Sequence, residues 1–136
     1  MSNKTITIAL MDPPYENERT TTTMRLIEKA IRKGLNVNVF AYEGAVYIPF
    51  QKQVPHANSV HGNSVEEENH PLTHVWVQEL LDLAHSHGTK LDWVNCGLCV
   101  DERGAVEAVT GVRRGSPADF VKFAEESAGT LVIATH

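Results

Sequence analysis

The chain has 136 residues, of which 42% are hydrophobic and 21% charged, and its formal net charge is −5 at pH 7. These values are those of a globular protein with a core of its own, and we expect residues 1–136 to form a single domain. The negative charge argues against direct nucleic-acid binding, because neutralising phosphates requires clustered basic residues. The nearest approach to such a cluster is Arg103, Arg113 and Arg114.

Targeting and membrane segments are not evident in the sequence. Residues 5–11 are too short and too alternating for a signal peptide, and no apolar stretch approaches the ~18 residues that a membrane span needs. We therefore expect a cytoplasmic protein with no membrane contact. In that reducing compartment, two cysteines more often serve redox, metal or nucleophilic chemistry than a structural disulfide.

The first third of the chain reads as strand, helix, strand. Residues 5–11 alternate apolar and polar side chains, which predicts a strand that ends at Asp12. The threonine run 20–23 supplies candidate N-caps for a helix that Gly34 ends. Residues 35–41 are predicted to form the second strand.

A long segment with little periodicity follows, from about residue 42 to residue 70. Segments of this length inside a compact domain are generally functional or mobile. We expect the histidines and the acidic run within it to lie in a solvated loop; the alternative is a lid over a functional site. Those residues are His56, His61 and Glu66 to Glu68.

The second half of the chain repeats the alternation of helix and strand. Pro71 suits the first turn of a helix that Gly88 ends, and residues 91–95 are predicted to form a third strand. A short helix is expected at 104–109, and 111–115 is compatible with a short strand. Ser116 to Asp119 is typical of a helix start, with Ser as cap and Asp three residues on. A last strand is expected at 131–134.

This order predicts an α/β fold, a three-layer sandwich with helices on both faces of a mainly parallel sheet of about five strands. Ligands of such sheets bind outside the carboxyl ends of the strands. The residues expected at that edge are Asp12 to Tyr15, Tyr42 to Gly44, Cys96 and Gly97, and Thr135 with His136.

The two cysteines of the chain, Cys96 and Cys99, stand where the third predicted strand ends. A thiol at this position is expected to be exposed and easily ionised, because exposed backbone N–H groups and the helix dipole favour the thiolate. Gly97 allows the backbone to approach closely. The pattern predicts sulfur chemistry at Cys96; the alternative is a buried cysteine that serves as a small hydrophobic residue.

In the order and spacing of these features, the chain resembles the DsrE/DsrF-like family, which includes TusD-like sulfur-relay proteins. The resemblance covers most of the chain. It rests on the Pro14-Tyr15 turn, the Lys33-Gly34 helix end, the stretch 39–46, and Cys96 followed by Arg103-Gly104.

The resemblance implies a DsrE-like fold and a sulfurtransferase of the persulfide-carrier type, with no cofactor. Cys96 would accept sulfane sulfur from a donor protein and pass it to an acceptor protein, in sulfur oxidation or thiolation. The family's assemblies imply a homo-oligomer, a trimer or hexamer, or a hetero-oligomer with related subunits.

Cys99 is not part of the TusD-type pattern and leaves alternatives open. It could attack a Cys96 persulfide and expel sulfide, relay the sulfur, or pack inertly. A dithiol redox protein that cycles a Cys96–Cys99 disulfide is therefore an alternative function. Another is a non-catalytic metal- or ligand-binding oligomer, because Cys-x-x-Cys is half of a zinc site that His70 and His74 could complete. We expect no metal there, with His70 capping a helix and His74 in solvent.

Four further residues are expected around the sulfur site. Arg103 is a candidate for steering anionic donors such as thiosulfate, or else forms a surface ion pair. Tyr15 and Tyr42 are expected to line the site or simply to pack. His136 is expected to approach Cys96 from the last strand and help to ionise it, or to lie at a frayed terminus.

Overall fold

The computed structural model describes residues 3–55 and 70–135, and it confirms the predicted α/β fold. In this part of the chain, five strands form one sheet: β1 (Thr5–Leu10), β2 (Asn36–Ala41), β3 (Leu91–Cys96), β4 (Val112–Gly115) and β5 (Gly129–Ile133). The α-helices are α1 (Arg19–Arg32), α2 (Thr73–Ser86), α3 (Gly97–Arg103) and α4 (Pro117–Glu126), and a 3-10 helix spans Glu43–Tyr47.

The sheet is parallel throughout, with the strand order β4-β3-β2-β1-β5. All carboxyl ends of the strands therefore lie at one edge. In the register of the sheet, Ala41 of β2 pairs with Asn95 of β3, and Cys96 pairs with Gly115 of β4. The residues that follow β2, β3 and β4 consequently emerge side by side at that edge.

The larger core lies between one face of the sheet and helices α1 and α2. Strand β2 sends Val37, Val39 and Ala41 into it, because successive side chains of a strand point to opposite faces. Trp93 of β3 and Trp76 of α2 are buried in the same core.

The opposite face of the sheet carries a smaller cluster beneath α4. Four buried residues form it, and we call them the Cys96 cluster: Phe40, Val94, Cys96 and Phe123. Tyr42, Cys99 and Phe120 pack against it. Helices therefore cover both faces, as the three-layer prediction requires, and Cys96 lies on the face under α4.

The start of α4 is as predicted, and the start of α1 is not. Ser116 caps α4, and Asp119 returns the contact in a full capping box. At α1 the threonine run lies inside the helix, which begins at Arg19 after Glu18. The helix tolerates Thr23 because its hydroxyl donates to the Arg19 carbonyl one turn earlier, at 2.7 Å.

The helix expected at 104–109 does not form. Instead, α3 begins directly after Cys96 and ends before Gly104, which adopts a left-handed conformation with φ of 65°. The residues that follow pair with the segment after the 3-10 helix: Ala108 bridges Phe50, and the Val109 N–H donates to the Pro49 carbonyl. These long-range bonds satisfy backbone groups that a helix would otherwise have satisfied.

Within residues 3–55 and 70–135, no helix has both the length and the apolar character needed to cross a membrane.

Candidate functional site

Cys96 stands at the junction of β3 and α3. It is the last residue of the strand and the N-cap of the helix, with extended backbone at φ −62° and ψ 119°. Its side chain is only 5% exposed and packs in the Cys96 cluster. The predicted strand-end position is therefore confirmed, but the expected exposure of the thiol is wrong, because Phe40, Val94 and Phe123 bury it.

Cys99 is the third residue of α3, and its side chain faces back toward Cys96. Both cysteines are free, and Cys99 packs against the cluster that contains Cys96. Burial raises the pKa of the Cys99 thiol above its usual value, and the neighbouring Cys96 adds to the rise. A hydrogen bond from the Glu43 backbone lowers this pKa, but the net shift is upward. Cys99 is consequently a protonated thiol at neutral pH.

Glu43 lies in the segment predicted at the carboxyl edge of the sheet, but its contact with Cys99 was not predicted. It begins the 3-10 helix with φ of 50°, a left-handed conformation that costs a non-glycine residue about 1–3 kcal/mol. Next to it, Gly44 lies so close to Pro13 that a Cβ there would come within 2.8 Å of the proline Cδ. A glutamate carries no sequence signal for left-handed backbone, so the Glu43 contact with Cys99 follows only from the fold.

Three stacked aromatic rings, from Phe40, Tyr42 and Phe120, lie beside Cys96. Tyr42 stacks on Phe40 with ring centroids 5.6 Å apart, and Phe40 stacks on Phe120 at the same distance. Burial raises the pKa of Tyr42, and the charge of Glu43 raises it further. The structure thus brings Tyr42 into the surroundings of Cys96.

Two arginines donate hydrogen bonds to backbone carbonyls of α3: Arg103, its last residue, and Arg114 of β4. Arg103 donates to the Cys99 carbonyl at 3.4 Å and lies 3.8 Å from a Glu102 carboxylate oxygen. Arg114, from β4, donates to the Gly97 carbonyl at 2.9 Å, and a Cβ at Gly97 would lie 3.2 Å from its terminal nitrogen. The close approach expected at Gly97 is therefore made by Arg114, whose position depends on the register of β4.

Arg113 points away from this pair, although it is adjacent in sequence. Its guanidinium contacts both carboxylate oxygens of Asp92 at 2.9 and 3.0 Å and lies over the Phe123 ring. The Asp92 contact raises the pKa of Arg113. The basic residues noted in the sequence are thus divided between α3 and the amino end of β3.

Tyr15 follows β1, and its hydroxyl contacts the start of α2. The apolar side chains of α2 pack on the face of the sheet opposite the Cys96 cluster. The Tyr15 hydroxyl donates to Gln53 at 2.8 Å and accepts from the Thr73 N–H at 2.9 Å. The structure does not bring these contacts together with the cysteines. His136 and the segment 56–69, with its histidines and acidic run, lie outside the described residues.

The histidines considered for a metal site have other contacts. His70 does not cap α2, whose N-cap is Leu72; its ring stacks on Trp76, with centroids 5.1 Å apart. His74 is half-buried rather than in solvent, and its Nδ1 lies 2.9 Å from Gln53 Oε1. Among residues 3–55 and 70–135, no three His, Cys, Asp or Glu side chains are grouped to hold a metal ion. The chemistry this arrangement can perform is that of two adjacent thiols: nucleophilic attack on sulfur and disulfide exchange.

Several solved structures share this fold, among them two bacterial proteins. The YchN protein of Escherichia coli superposes with a TM-score of 0.70 at 18% sequence identity, covering 95% of this chain and 98% of that one. A conserved protein of unknown function from Bacteroides thetaiotaomicron, BT1422, gives 0.53 at 10% identity, with 93% of each chain covered.

Sequence comparison gives a relative and a family. An uncharacterized protein of Methanocaldococcus jannaschii, MJ0989, is 28% identical over 123 residues, which cover 89% of this chain and 92% of that protein. The model of the DsrE/DsrF-like family matches residues 4–133. The chain therefore belongs to the DsrE/DsrF-like family, whose members generally act in sulfur relay.

Proposed function

We propose that this protein carries sulfane sulfur as a persulfide on Cys96 and transfers it to a partner protein. The observation that supports this most is the position of Cys96, the last residue of its strand at the carboxyl edge of a parallel sheet, in a cluster against which Cys99 and Tyr42 pack. Thiolate attack of Cys96 on a donor persulfide forms the new S–S bond and releases the donor as a thiolate.

A partner-binding role is supported by an apolar side chain at the site itself. Leu98, between the two cysteines, is 69% exposed. An exposed leucine next to a reactive thiol suits contact with a donor or acceptor protein, since protein interfaces bury such side chains. We place this exchange in the cytoplasm, where free thiols persist.

Assembly into an oligomer is supported by the edge strand β5. Leu131 and Val132 point to opposite faces of the sheet, and each is about half exposed, at 48% and 54%. An uncovered apolar edge strand favours association. Light scattering on the purified chain tests this: a trimer or hexamer is the expected mass, and a monomer at micromolar concentration contradicts it.

The experiment for the carrier role is intact-protein mass spectrometry after brief exposure to inorganic polysulfide. Wild type and Cys99→Ser should gain about 32 Da, one sulfur atom, and Cys96→Ser should not. The proposal is wrong if Cys96→Ser gains the same mass as the other two proteins.

A further inference from the structure

The two cysteines occupy helix positions that approach each other, because a side chain at the third helical residue reaches back to the N-cap residue. Cys96 is the N-cap of α3 and Cys99 its third residue, the same two positions that Ser116 and Asp119 hold at α4. At α4 the contact is direct, since Asp119 Oδ2 accepts from the Ser116 N–H at 2.8 Å. The equivalent placement at α3 puts Cys99, which packs against the Cys96 cluster, at the position that reaches back to Cys96. Cys-x-x-Cys pairs form reversible disulfides in redox proteins such as thioredoxin.

Burial favours Cys99 over an acceptor protein as the group that attacks a Cys96 persulfide. An acceptor protein must reach a sulfur on a side chain that is only 5% exposed, whereas Cys99 already lies against it within the apolar cluster. An attacking group held in place has an effective concentration far above that of any protein in solution. The internal reaction is therefore favoured whenever Cys99 is ionised.

We propose that Cys99 resolves the Cys96 persulfide, so that the protein also reduces sulfane sulfur to sulfide. This step rests on the proposed function, because it begins from the loaded Cys96. The Cys99 thiolate attacks Sγ of Cys96, the bond between that Sγ and the sulfane sulfur breaks, and its electron pair leaves as hydrosulfide. The two cysteines are oxidised to a disulfide while the sulfane sulfur is reduced. A dithiol reductant of the thioredoxin type returns the protein to its free thiols.

The raised pKa of Cys99 gives this reaction a pH dependence. Burial and Cys96 raise it, and the Glu43 N–H and the Arg103 charge act against them. Below its pKa the thiolate fraction of Cys99 rises about tenfold for each pH unit. The loaded state should therefore last longest near neutral pH and shorten as the pH rises.

The test follows loaded protein after the donor has been removed by gel filtration. Wild type should lose its added ~32 Da and finish about 2 Da lighter than the reduced protein, while releasing one sulfide per chain. Cys99→Ser should keep the added sulfur at least about tenfold longer. Dithiothreitol should restore the reduced mass of wild type.

The outcomes separate this inference from the proposed function. If wild type and Cys99→Ser hold sulfur equally long, Cys99 does not resolve the persulfide, and the carrier role stands. If the added sulfur of wild type is found on Cys99 by peptide mapping, with no sulfide released, Cys99 relays sulfur and the inference is overturned. If neither protein loads at Cys96, the proposed function fails first.

Discussion

The guanidinium of Arg114 donates a 2.9 Å hydrogen bond to the main-chain carbonyl of Gly97, the residue that follows Cys96. The same nitrogen lies 3.0 Å from Asp101 Oδ1. One side chain of β4 thereby holds both turns of the short helix α3 against the sheet. It also places a positive charge beside the first turn of α3, the helix that begins directly after Cys96.

Substitution of Arg114 should slow loading from an anionic donor. In Arg114→Ala we expect the rate of mass gain with inorganic polysulfide to fall about 3- to 10-fold, the effect of losing about 0.6–1.4 kcal/mol of electrostatic and positioning energy. Time-resolved intact mass spectrometry measures this rate. The reduction should shrink at high salt, because the guanidinium is half exposed and its field is screened.

Arg113→Ala is the matched control for this experiment. It removes the same charge from the neighbouring residue, but Arg113 is directed to Asp92 and Asp119. Loading should therefore stay within about twofold of wild type, since the side chain of Arg113 bonds to β3 and α4, whereas that of Arg114 bonds to α3. Equal slowing in both variants would mean that overall charge matters and that the Gly97 contact does not.

The contrast between these adjacent arginines shows what the sequence could predict. Cys96 at a strand end and the Ser116–Asp119 helix start are local patterns, and both are confirmed. The Arg114 contact depends on the pairing of β4 with β3, which brings Gly115 opposite Cys96. No local pattern carries that information. The failed helix at 104–109 has the same cause, because its backbone bonds are made to a distant segment.

Gly44→Ala should destabilise the protein by about 1–3 kcal/mol, the cost of overpacking a closed site. A Cβ at Gly44 would lie 2.8 Å from Cδ and 3.0 Å from Cβ of Pro13, and a proline ring cannot rotate away. Urea unfolding followed by circular dichroism measures the change. Gly97→Ala is the comparison, because its new Cβ would meet the flexible end of Arg114 at 3.2 Å. That variant should lose less than about 1 kcal/mol, and an equal loss in both would contradict the steric argument.

Asp119→Asn should weaken the start of α4 in a pH-dependent way. The hydrogen bond from the Ser116 N–H lowers the pKa of Asp119, and the Arg113 charge lowers it further. A lowered pKa contributes stability above the unfolded pKa of about 3.9, and that contribution is lost as pH falls through the folded value. We expect a loss of up to about 1 kcal/mol at pH 7 that disappears toward pH 3. Asp82→Asn, on the exposed face of α2, is the control, and a loss that persists unchanged at pH 3 would exclude ionic capping.

The hydroxyl of Tyr15 belongs to a hydrogen-bond network around Gln53. The Gln53 amide donates to the Tyr47 carbonyl and the Thr73 hydroxyl, while its oxygen accepts from Tyr15 and from the His74 N–H. These bonds connect the segment after the 3-10 helix to the start of α2. They give Tyr15 a structural role, while its role at the sulfur site stays a prediction.

Tyr15→Phe separates these two roles. Loss of the hydroxyl removes a donor to Gln53 and leaves the Thr73 N–H without that acceptor, so we expect about 1–3 kcal/mol lower stability in urea unfolding. Sulfur loading of the folded protein at Cys96 should be unchanged. Tyr42→Phe makes the same chemical change within the Cys96 surroundings, and there we expect the loading rate to fall. Slower loading in Tyr15→Phe at unaltered stability would instead place Tyr15 at the sulfur site.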